Sequence, residues 1–425
     1  MKTLRRSVIA RLHGAKCLQT VALALVLLAS ATAIAQPVIG PEVLSGALPY
    51  ASRDYSVAAP AVAMAKDSNG VVIAWSIPNG DGVWRIYVAR LDATGHVAGE
   101  VHPLAVLSVP ADAVYPSLAV VPGGSGFTAT WTEVTLTPFQ SQIVYCRLDR
   151  ALIASPPTVL TTFTELFVPV VVRSGTSITW IAAGAQVWRL NPDGSPQLPL
   201  NSGFAAVDMT IANDVPHLVS SHSSKDWIAC REDCTGSSRW FCPDSCKIYR
   251  DTYTLRFLAL YTAAGAVSFN YPTDAQPTVQ SDGHEVLVAW FDGTQAVGGA
   301  VFAARIPPQS DLFQQRVAQP LFLGNYGRDG GATRPDIATD GERYVVVWRT
   351  THPGDSGHDV GGAVIDRDGK ITPLSIAASS ADERDPSVIF VGGGTFLVAY
   401  DKYADGQRFI AGRFVTFPSH RRPVN

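Results

Sequence analysis

One phrase recurs along the chain and limits what it can fold into. In its clearest copy, DGERYVVVWRT from Asp340, a turn pair leads into an alternating apolar strand that ends in aromatic and polar residues. Such self-similarity is the mark of repeat architectures. The copies run from an opening proline to an aromatic residue, at Pro60 and Trp75, Pro116 and Trp131, Pro169 and Trp180, Pro277 and Trp290, Pro335 and Trp348, and Pro386 and Tyr400. A degenerate copy from Val207 (VDMTIANDVPHLVSS) makes seven, most of them about fifty residues apart.

Each repeat predicts four short β-strands. Behind the aromatic residue comes a second landmark, a strand that enters and leaves an Asp/Gly turn, as in ARLDATGHVAG from Ala89 and AVIDRDGKITP from Ala363. Short strands joined by Gly, Asp and Asn turns form hairpins. Seven such units predict an all-β fold, a seven-bladed β-propeller of four-stranded antiparallel blades that share their cores with their neighbours. The recurring aromatic residue is expected to fill the space between blades.

The two ends of the chain are complementary in pattern. The last repeat has three strands, up to Phe417, and no fourth. The segment VIGPEVLSGALPYASRDYSVAAP from Val38 resembles KITPLSIAASSADERDP from Lys370, a fourth strand that runs into the next proline. We therefore expect a strand near residues 42–45 to pair with one near residues 409–415. This pairing would complete the last blade, close the ring and remove a sheet edge.

The segment RPDIATDGERYVVVWRT from Arg334, with the stretch that follows it to Val388, resembles the propeller repeats of secreted bacterial proteins of unassigned function. Their pattern is P-x-I-A-x-D-G-x-x-Y-x-V-x-W, in repeats of about fifty residues. The resemblance is good over residues 334–388 and looser elsewhere. It implies a propeller fold and no particular activity. The Asp boxes of sialidases and the Gly-His and Trp-Asp marks of WD40 repeats do not match.

The first 35 residues have the features of a signal peptide. Five basic residues precede the apolar run from Val21 to Leu28, and Ala33-Ile34-Ala35 is a small-x-small cleavage site. Cleavage there leaves 28 Lys and Arg against 36 Asp and Glu, a net charge of −8. This acidic balance argues against nucleic acid and anionic membranes as partners. We expect an exported bacterial protein of the periplasm or medium, with a propeller over residues 36–418 and a tail at 419–425.

A cysteine-rich insert interrupts the fourth repeat, over about residues 222–252. Its four cysteines are Cys230, Cys234, Cys242 and Cys246. Their spacing, C-x3-C-x7-C-x3-C, suits a hairpin with nested bridges that join the outer two and the inner two. In an exported protein disulfides are favoured over a zinc site, although four cysteines allow three pairings. Cys146 is left over, and its strand position predicts a buried apolar thiol.

Other motifs favour structural roles. GDSG from Gly354 resembles a serine-protease nucleophile motif, but neither a base nor an orienting acid accompanies it. IDRDGK from Ile365 suits a hairpin turn better than a calcium loop, because the loop's distant glutamate is lacking. His217 and His222 flank the second strand of the fourth repeat, where ordinary surface or turn positions are favoured over a metal role. We assign no catalytic residue, metal ion or cofactor from the sequence.

The long loops indicate where a ligand binds. In a four-stranded blade, the links between second and third strands share one face with the links between blades, and here both sets are long and variable. Variable loops on a rigid scaffold are where binding concentrates. The predicted function is a monomeric, non-catalytic scaffold that recognises a protein or a glycan on this face. The predicted contact residues are Arg53, Tyr55, Tyr115, Tyr326, Arg328, Arg384 and Tyr403.

The alternative function is carbohydrate hydrolysis. Glycosidases need two carboxyl groups across the scissile bond, and equivalent loops of a propeller bring carboxylates around its axis. The sequence leaves open whether any two face each other. The carboxylates in equivalent loops are Asp54, Asp112, Glu165, Asp274, Asp329 and Asp382.

Overall fold

The structure is a computed structural model. It describes residues 36–44, 62–78, 82–104, 111–136, 138–173, 178–230, 247–259, 266–269, 277–292, 299–306, 320–327, 334–351 and 357–418. The described residues from Ile39 to Val415 form one compact unit. Among the described residues, no helix has the length and apolar character that a membrane span requires.

The described strands form seven sheets, which we number in chain order. Strand β1 (Val38–Val43) comes first. The first two sheets contain β2 (Ala63–Asp67), β3 (Gly70–Pro78), β4 (Trp84–Leu91), β5 (Val97–Pro103), β6 (Asp112–Val120), β7 (Gly126–Leu136), β8 (Phe139–Asp149) and β9 (Thr158–Phe163). The next two contain β10 (Val170–Arg173), β11 (Thr179–Leu190), β12 (Leu200–Ala206), β13 (Asp208–Ala212), β14 (Val215–Cys230), β15 (Lys247–Ala259) and β16 (Ala266–Phe269).

The remaining strands complete the fifth to seventh sheets. They are β17 (Thr278–Ser281), β18 (Val286–Asp292), β19 (Gly299–Ile306), β20 (Leu321–Gly327), β21 (Asp336–Thr339), β22 (Arg343–Thr351), β23 (His358–Asp366), β24 (Ile371–Ala377), β25 (Asp382–Gly392), β26 (Thr395–Ala404) and β27 (Gln407–Thr416). A short 3-10 helix, Pro122–Gly124, precedes β7. Six sheets have four strands and one has three, and apart from β1 the strands of each sheet follow one another in chain order. Neighbours such as β2 and β3, β3 and β4, and β4 and β5 are antiparallel. This arrangement confirms an all-β propeller of four-stranded antiparallel blades.

The third sheet has three strands where the sequence predicted four, so that prediction is wrong there. Strand β11 covers both the second and the third predicted strands. Its first part pairs with β10, at Trp180 and its neighbours, and its second part pairs with β12, at Val187 and Gln186. The two parts are joined at Gly184, whose φ of 55° bends the backbone where other residues rarely can. The link is too short to separate two strands.

The recurring aromatic residues are buried, as predicted. Trp75, Trp131, Trp290 and Tyr400 are at most 1% exposed, and Trp348 is also buried. The apolar clusters that contain the recurring tryptophans each combine residues of two neighbouring sheets. Trp131, for example, is in one cluster with Val72 and Val88 of the first sheet. The tryptophans therefore contribute to cores shared between sheets, since one sheet alone cannot bury both of its faces.

In the sixth sheet, tight turns link the first strand to the second and the third strand to the fourth. At Asp340-Gly341 the Oδ1 of Asp340 accepts the N–H groups of Glu342 and Arg343 at 2.9 and 2.8 Å, and Gly341 has φ 85°. At the turn that follows Ile365, Asp366 Oδ1 accepts the N–H of Lys370 at 2.8 Å. These turns use their polar groups internally, as the sequence predicted for IDRDGK.

The first strands of the sheets surround a central cavity of about 540 Å³. Each first strand contacts the first strand of the next sheet, and β25 contacts β2. Three polar side chains, each one residue past the start of a repeat, link alternate pairs of sheets. Ser117 Oγ, Asp208 Oδ2 and Asp336 Oδ2 accept the N–H groups of Val171, Val279 and Val388 at 3.1, 2.9 and 2.8 Å. These bonds set the register between neighbouring first strands.

The N-terminal strand β1 lies beside β27 in the seventh sheet, so this sheet is ordered β1-β27-β26-β25. Val43 and Leu44 are buried in a cluster that also contains Leu397, Ile410 and the first sheet's Ile73. Glu42 Oε2 accepts a hydrogen bond from Tyr400 Oη at 3.0 Å and pairs with Lys402 Nζ at 2.7 Å. Apolar and ionic contacts together hold β1 on the last sheet.

The fourth sheet carries a long two-stranded ribbon. Strands β14 and β15 pair from His217 and Ala259 out to Cys230 and Lys247, well past their pairing with the sheet's outer strands. Cys234, Cys242 and Cys246 lie outside the described residues, and only the backbone of Cys230 is described. The two disulfides therefore stay a prediction. Cys146 is a buried free thiol, and burial raises its pKa to about 12.

Candidate functional site

The structure brings two of the seven predicted contact residues together. Arg384 begins the seventh sheet on β25, and Tyr403 ends the neighbouring β26; Asp382 pairs with Tyr403 in the register of these strands. Tyr115 lies in the second sheet within an apolar cluster. Tyr326 is in β20, where its side chain is not described, and the other three predicted residues, Arg53, Tyr55 and Arg328, lie outside the described residues.

The segments that contain Tyr115 and Arg384 have the same backbone form. DAVYPS from Asp112 and DERDPS from Asp382 share the frame D-x-x-x-P-S. The residue before the proline is left-handed in both, with φ 56° at Tyr115 and 48° at Asp385, and both strands have an irregular register at this point. Left-handed conformations are uncommon outside glycine. The two segments are therefore structural equivalents in the second and seventh sheets.

The aspartate that opens each segment has the same structural role. Asp112 Oδ1 accepts the backbone N–H of Trp84, the first residue of β4, at 3.0 Å. Asp382 Oδ1 accepts the backbone N–H of His358, the first residue of β23, at 3.1 Å. Each aspartate thus ties its sheet to the third strand of the preceding sheet. Asp112 and Asp382, two of the carboxylates of the hydrolase alternative, are partly explained by this scaffold role.

The side chains around the two segments differ completely. At the junction of the first and second sheets, Trp84, Val114 and Val134 are buried together, with Tyr115 packed against them. At the junction of the sixth and seventh sheets, the equivalent positions are occupied by polar groups. The two aspartate contacts match His358 to Trp84. The pairings of β25 with β26, and of β6 with β7, match Arg384 to Val114, Asp385 to Tyr115, Asp401 to Thr132 and Tyr403 to Val134.

We call the polar group at the second junction the charged cluster. It consists of Arg349, His358, Asp382, Arg384, Asp385, Asp401, Tyr403 and Arg408. These residues lie at the ends of β22 and β26 and at the starts of β23, β25 and β27. They are therefore on the face formed by the links between second and third strands and between sheets, which is the face that the sequence predicted for binding.

Ion pairs organise the cluster around Asp382 and Asp401. The Nδ1–H of His358 donates to Asp382 Oδ1 at 2.7 Å. Arg384 holds the same carboxylate with Nε on Oδ1 at 2.9 Å and Nη2 on Oδ2 at 2.6 Å. Arg408 Nη1 pairs with Asp401 Oδ2 at 2.7 Å, and its guanidinium lies 5.8 Å from the centre of the Tyr403 ring. A bidentate arginine fixes the position of a carboxylate.

The two carboxyl groups have opposite pKa shifts. Burial raises the pKa of Asp401 to about 7, although Arg408 opposes the shift. Burial also acts on Asp382, but the hydrogen bonds from Arg384 and His358 outweigh it and leave its pKa below the usual value. Burial raises the pKa of Asp385 and lowers the pKa of His358. Asp382 is thus ionised at neutral pH, while Asp401 exchanges a proton there.

Asp401 has unused hydrogen-bonding capacity. Its side chain is 1% exposed, and within the described residues its Oδ1 has no hydrogen-bond partner. A buried polar atom without a partner is costly and calls for an explanation such as an absent ligand or water. By contrast, Arg384, Arg408 and Tyr403 reach solvent, with side chains of the two arginines 31% and 28% exposed and Tyr403 45% exposed.

Other residues singled out in the sequence have structural roles or lie elsewhere. His217 is buried, its ring Nδ1 lies 2.8 Å from the carbonyl of Val215, and burial lowers its pKa. Glu165 is exposed at the end of the second sheet. Asp54, Asp274, Asp329 and Ser356 are outside the described residues, and the side chain of His222 is not described. No group of His, Cys, Asp and Glu in the described part of the chain could hold a metal ion.

Sequence reasoning missed most of the charged cluster. Asp401, Asp385, His358, Arg349 and Arg408 were not among the predicted contact residues. A signal was available in the opening segments themselves. After the shared first aspartate, DERDPS has Glu, Arg and Asp where DAVYPS has Ala, Val and Tyr. Asp401 directly follows the recurring aromatic residue, where Trp131 is followed by a threonine.

Comparison with known proteins identifies no family. No family model matches the chain, and no curated protein matches it. Among solved structures, a catalytically inactive virginiamycin B lyase from Staphylococcus aureus with quinupristin is 13% identical, with a TM-score of 0.46 over 87% of this chain and 98% of the other. The β-propeller domain of the trilobed protease from Pyrococcus furiosus is 9% identical, with a TM-score of 0.46 over 86% and 100%.

A third solved structure, Trypanosoma rangeli sialidase in complex with the inhibitor DANA, is 7% identical. Its TM-score is 0.47, over 88% of this chain and 60% of the sialidase chain. These proteins differ from one another in what their names describe. At such identities they indicate no activity for this chain.

Proposed function

We propose that the protein is an exported propeller that binds a glycan or a protein ligand through the charged cluster. The proposal extends to the architecture: the third sheet counts as a blade, the ring has seven blades, and β1 closes it. The contact of β25 with β2 and the position of β1 beside β27 support this closure. The resemblance of the repeats to those of secreted bacterial proteins and the signal-like first 35 residues support export.

The comparison of two equivalent junctions carries the proposal. One backbone frame, tied down by the same aspartate contact, is filled with Trp84, Val114 and Tyr115 at one junction and with His358, Arg384 and Asp385 at the other. The apolar filling is the stable solution for this frame, because buried ion pairs cost desolvation energy. A charged filling therefore needs a reason other than stability. Clusters of ionisable groups with shifted pKa values, lying on a loop face, are typical of functional sites.

The test is a binding screen with paired variants. The purified protein is applied to a glycan array and to an extract of bacterial surface proteins. For any ligand found, we expect Arg384→Ala and Tyr403→Ala each to weaken binding by about 2 kcal/mol or more, because arginine and aromatic anchors dominate interfaces. Melting temperatures of the variants show whether the fold is retained.

The matched control is Arg367→Ala, in a tight turn on the opposite face. Arg367 is exposed, and its Nη2 donates to the carbonyl of Gly341 at 2.8 Å. Its replacement should leave binding unchanged. If Arg367→Ala abolishes binding while the two cluster variants keep it, the ligand binds the short-turn face and the proposed site is wrong.

A second candidate function is hydrolysis of a glycosidic bond. The observation in its favour is a difference in pKa between two carboxyl groups. Arg384 and His358 keep the pKa of Asp382 below its usual value, whereas the pKa of Asp401 is about 7. Such divergence separates the acid from the base or nucleophile in glycosidases. Hydrolysis predicts release of reducing sugar from a bound glycan and a loss of about 10²–10⁴-fold in rate for Asp401→Asn. Binding without any release favours the scaffold function.

A further inference from the structure

The charged cluster presents its positive and aromatic groups to solvent and keeps its carboxyl groups behind them. Arg384, Arg408 and Tyr403 are its most exposed side chains, whereas the Asp401 side chain is 1% exposed and that of Asp382 is 17% exposed. A ligand approaching this face therefore meets two guanidinium groups and one aromatic ring first.

We infer that the ligand is an acidic saccharide whose carboxylate lies against Arg384 and Arg408 and whose sugar ring packs on Tyr403. This inference rests on the proposed binding function and names the class of ligand for that site. It concerns binding alone and involves no covalent step.

The arginines keep donors available for a carboxylate. Arg384 uses Nε and Nη2 for Asp382, and Arg408 uses Nη1 for Asp401. A guanidinium has five N–H donors in a planar fork, so each arginine retains N–H groups on the side away from its aspartate. Guanidinium groups are the preferred partners of planar carboxylates because they bind them with two parallel hydrogen bonds.

The aromatic ring favours a saccharide over an acidic peptide or an inorganic anion. Tyr403 is 45% exposed, and the guanidinium of Arg408 lies over its ring, 5.8 Å from the ring centre. A ring in this position offers a flat apolar surface directly next to the anion-binding groups. The C–H face of a sugar ring packs on such a surface, and the acidic group of a uronic acid is attached to the same ring. Sulfate and phosphate have no apolar face that could pack on the Tyr403 ring.

Asp401 couples ligand binding to the uptake of a proton by its own carboxyl group. Its carboxylate competes with a ligand for Arg408, and a proton on Asp401 removes this competition. Four charged or titratable groups face Asp401: Arg408 of β27 and Asp382, Arg384 and Asp385 of β25. Asp385 is faced in turn by Arg349 of β22 and His358 of β23. A bound anion near these arginines favours the protonated form of Asp401, so the two events support each other.

The direction of the pH dependence follows from this linkage. Below the pKa of Asp401, about 7 in the free protein, the carboxyl is protonated with or without ligand and affinity is highest. As the pH rises above about 7, binding must draw a proton onto Asp401, and affinity falls by up to about tenfold per pH unit. It levels off above the higher pKa of the complex.

The experiment is calorimetric titration of the mature protein with defined probes. The probes are oligomers of galacturonate and of glucuronate, a neutral galactose oligomer, sulfate and a poly-glutamate peptide, each across neutral pH. We expect a uronate oligomer to bind, with affinity that falls above about pH 7, and the neutral oligomer to bind at least about tenfold more weakly.

Three variants and one control test the residues. Arg408→Gln should weaken uronate binding at least about tenfold, because a charge-assisted hydrogen bond is lost. Asp401→Asn should keep strong binding and remove the pH dependence. The double variant Asp401→Asn with Arg408→Gln leaves no buried charge unpaired and should bind as weakly as Arg408→Gln if it folds. Arg367→Gln, on the opposite face, should bind like the unchanged protein.

The contrary outcomes are distinct. If neutral and acidic oligomers bind equally at the charged cluster, the anionic ligand is wrong and the proposed binding function stands. Binding of poly-glutamate or sulfate as tight as that of uronate, or binding of none of the probes, overturns the acidic saccharide. An unchanged pH dependence in Asp401→Asn overturns the role of this residue.

Discussion

A protein that starts at residue 45 instead of residue 36 should lose about 4–9 kcal/mol of unfolding free energy. The loss has two parts. Burial of Val43 and Leu44 contributes about 1.5–3 kcal/mol each, and both are nearly inaccessible in the cluster that joins the first and last sheets. The bonds of Glu42 to Tyr400 and Lys402, at 3.0 and 2.7 Å, contribute about 1.5–3 kcal/mol more. Thermal and urea denaturation followed by circular dichroism measure the change.

Single substitutions separate the two parts. Leu44→Ala should cost about 2–5 kcal/mol through the cavity that it leaves. Glu42→Gln should cost less, since its amide still accepts the hydrogen bond of Tyr400. If the shortened protein unfolds at the same temperature and urea concentration as the intact one, β1 contributes nothing to stability and closure by this strand is wrong.

Filling the charged cluster with the side chains found at the junction of the first and second sheets should remove binding and leave the fold intact. The variant combines His358→Trp, Arg384→Val, Asp385→Tyr and Asp401→Thr with Arg349→Gln and Arg408→Gln, because these two arginines would otherwise lose the charges of Asp385 and Asp401. It keeps Asp382, since Asp112 makes the same backbone contact. Replacing buried ion pairs by apolar residues is often neutral or stabilising by about 1–4 kcal/mol. We expect unchanged or raised stability together with a loss of at least about 100-fold in ligand affinity. Binding assays and urea denaturation measure the two effects.

The control for this exchange is an ion pair elsewhere on the scaffold. Arg305 and Glu285 pair at 3.3 Å on the short-turn side of the fifth sheet. The double variant Arg305→Val with Glu285→Val should leave binding unchanged. Retained affinity in the six-residue variant would show that the charged cluster has no part in binding, and a loss of stability would show that the two junctions are not interchangeable.

Much of the fold could be predicted from local pattern. The strand that ends in Trp348 and the turn at Asp340-Gly341 are encoded within a dozen residues, and the recurrence of the phrase indicates the repeat. The burial of Trp131 and Tyr400 follows from their position at the end of an apolar strand. The merging of two strands into β11 could not be predicted in the same way, because it depends on how Gly184 packs against Phe163 and Phe167.

The candidate site was less accessible to prediction. Arg384 and Tyr403 were identified as exposed polar and aromatic residues in long loops, a property that can be seen in the sequence. Asp401 lies inside a strand, where an isolated aspartate gives no signal of its own. Its significance comes from Arg408, Asp385 and Arg384, which arrive from other strands. Only a residue-by-residue alignment of the repeats, at the frame of Asp112 and Asp382, would have indicated it.

The aspartate that ties each of these segments to the preceding sheet has a consequence for how such a scaffold can be re-engineered. Because Asp112 and Asp382 fix the backbone by the same contact, the side chains at the variable positions beside them can be exchanged between the two junctions. Transplanting the arginine and carboxyl side chains onto Trp84, Val114 and Tyr115 would add a second charged cluster to the same chain. If the charged cluster binds a ligand as proposed, two such clusters engaged together by a long polymer would raise avidity far above the affinity of either alone.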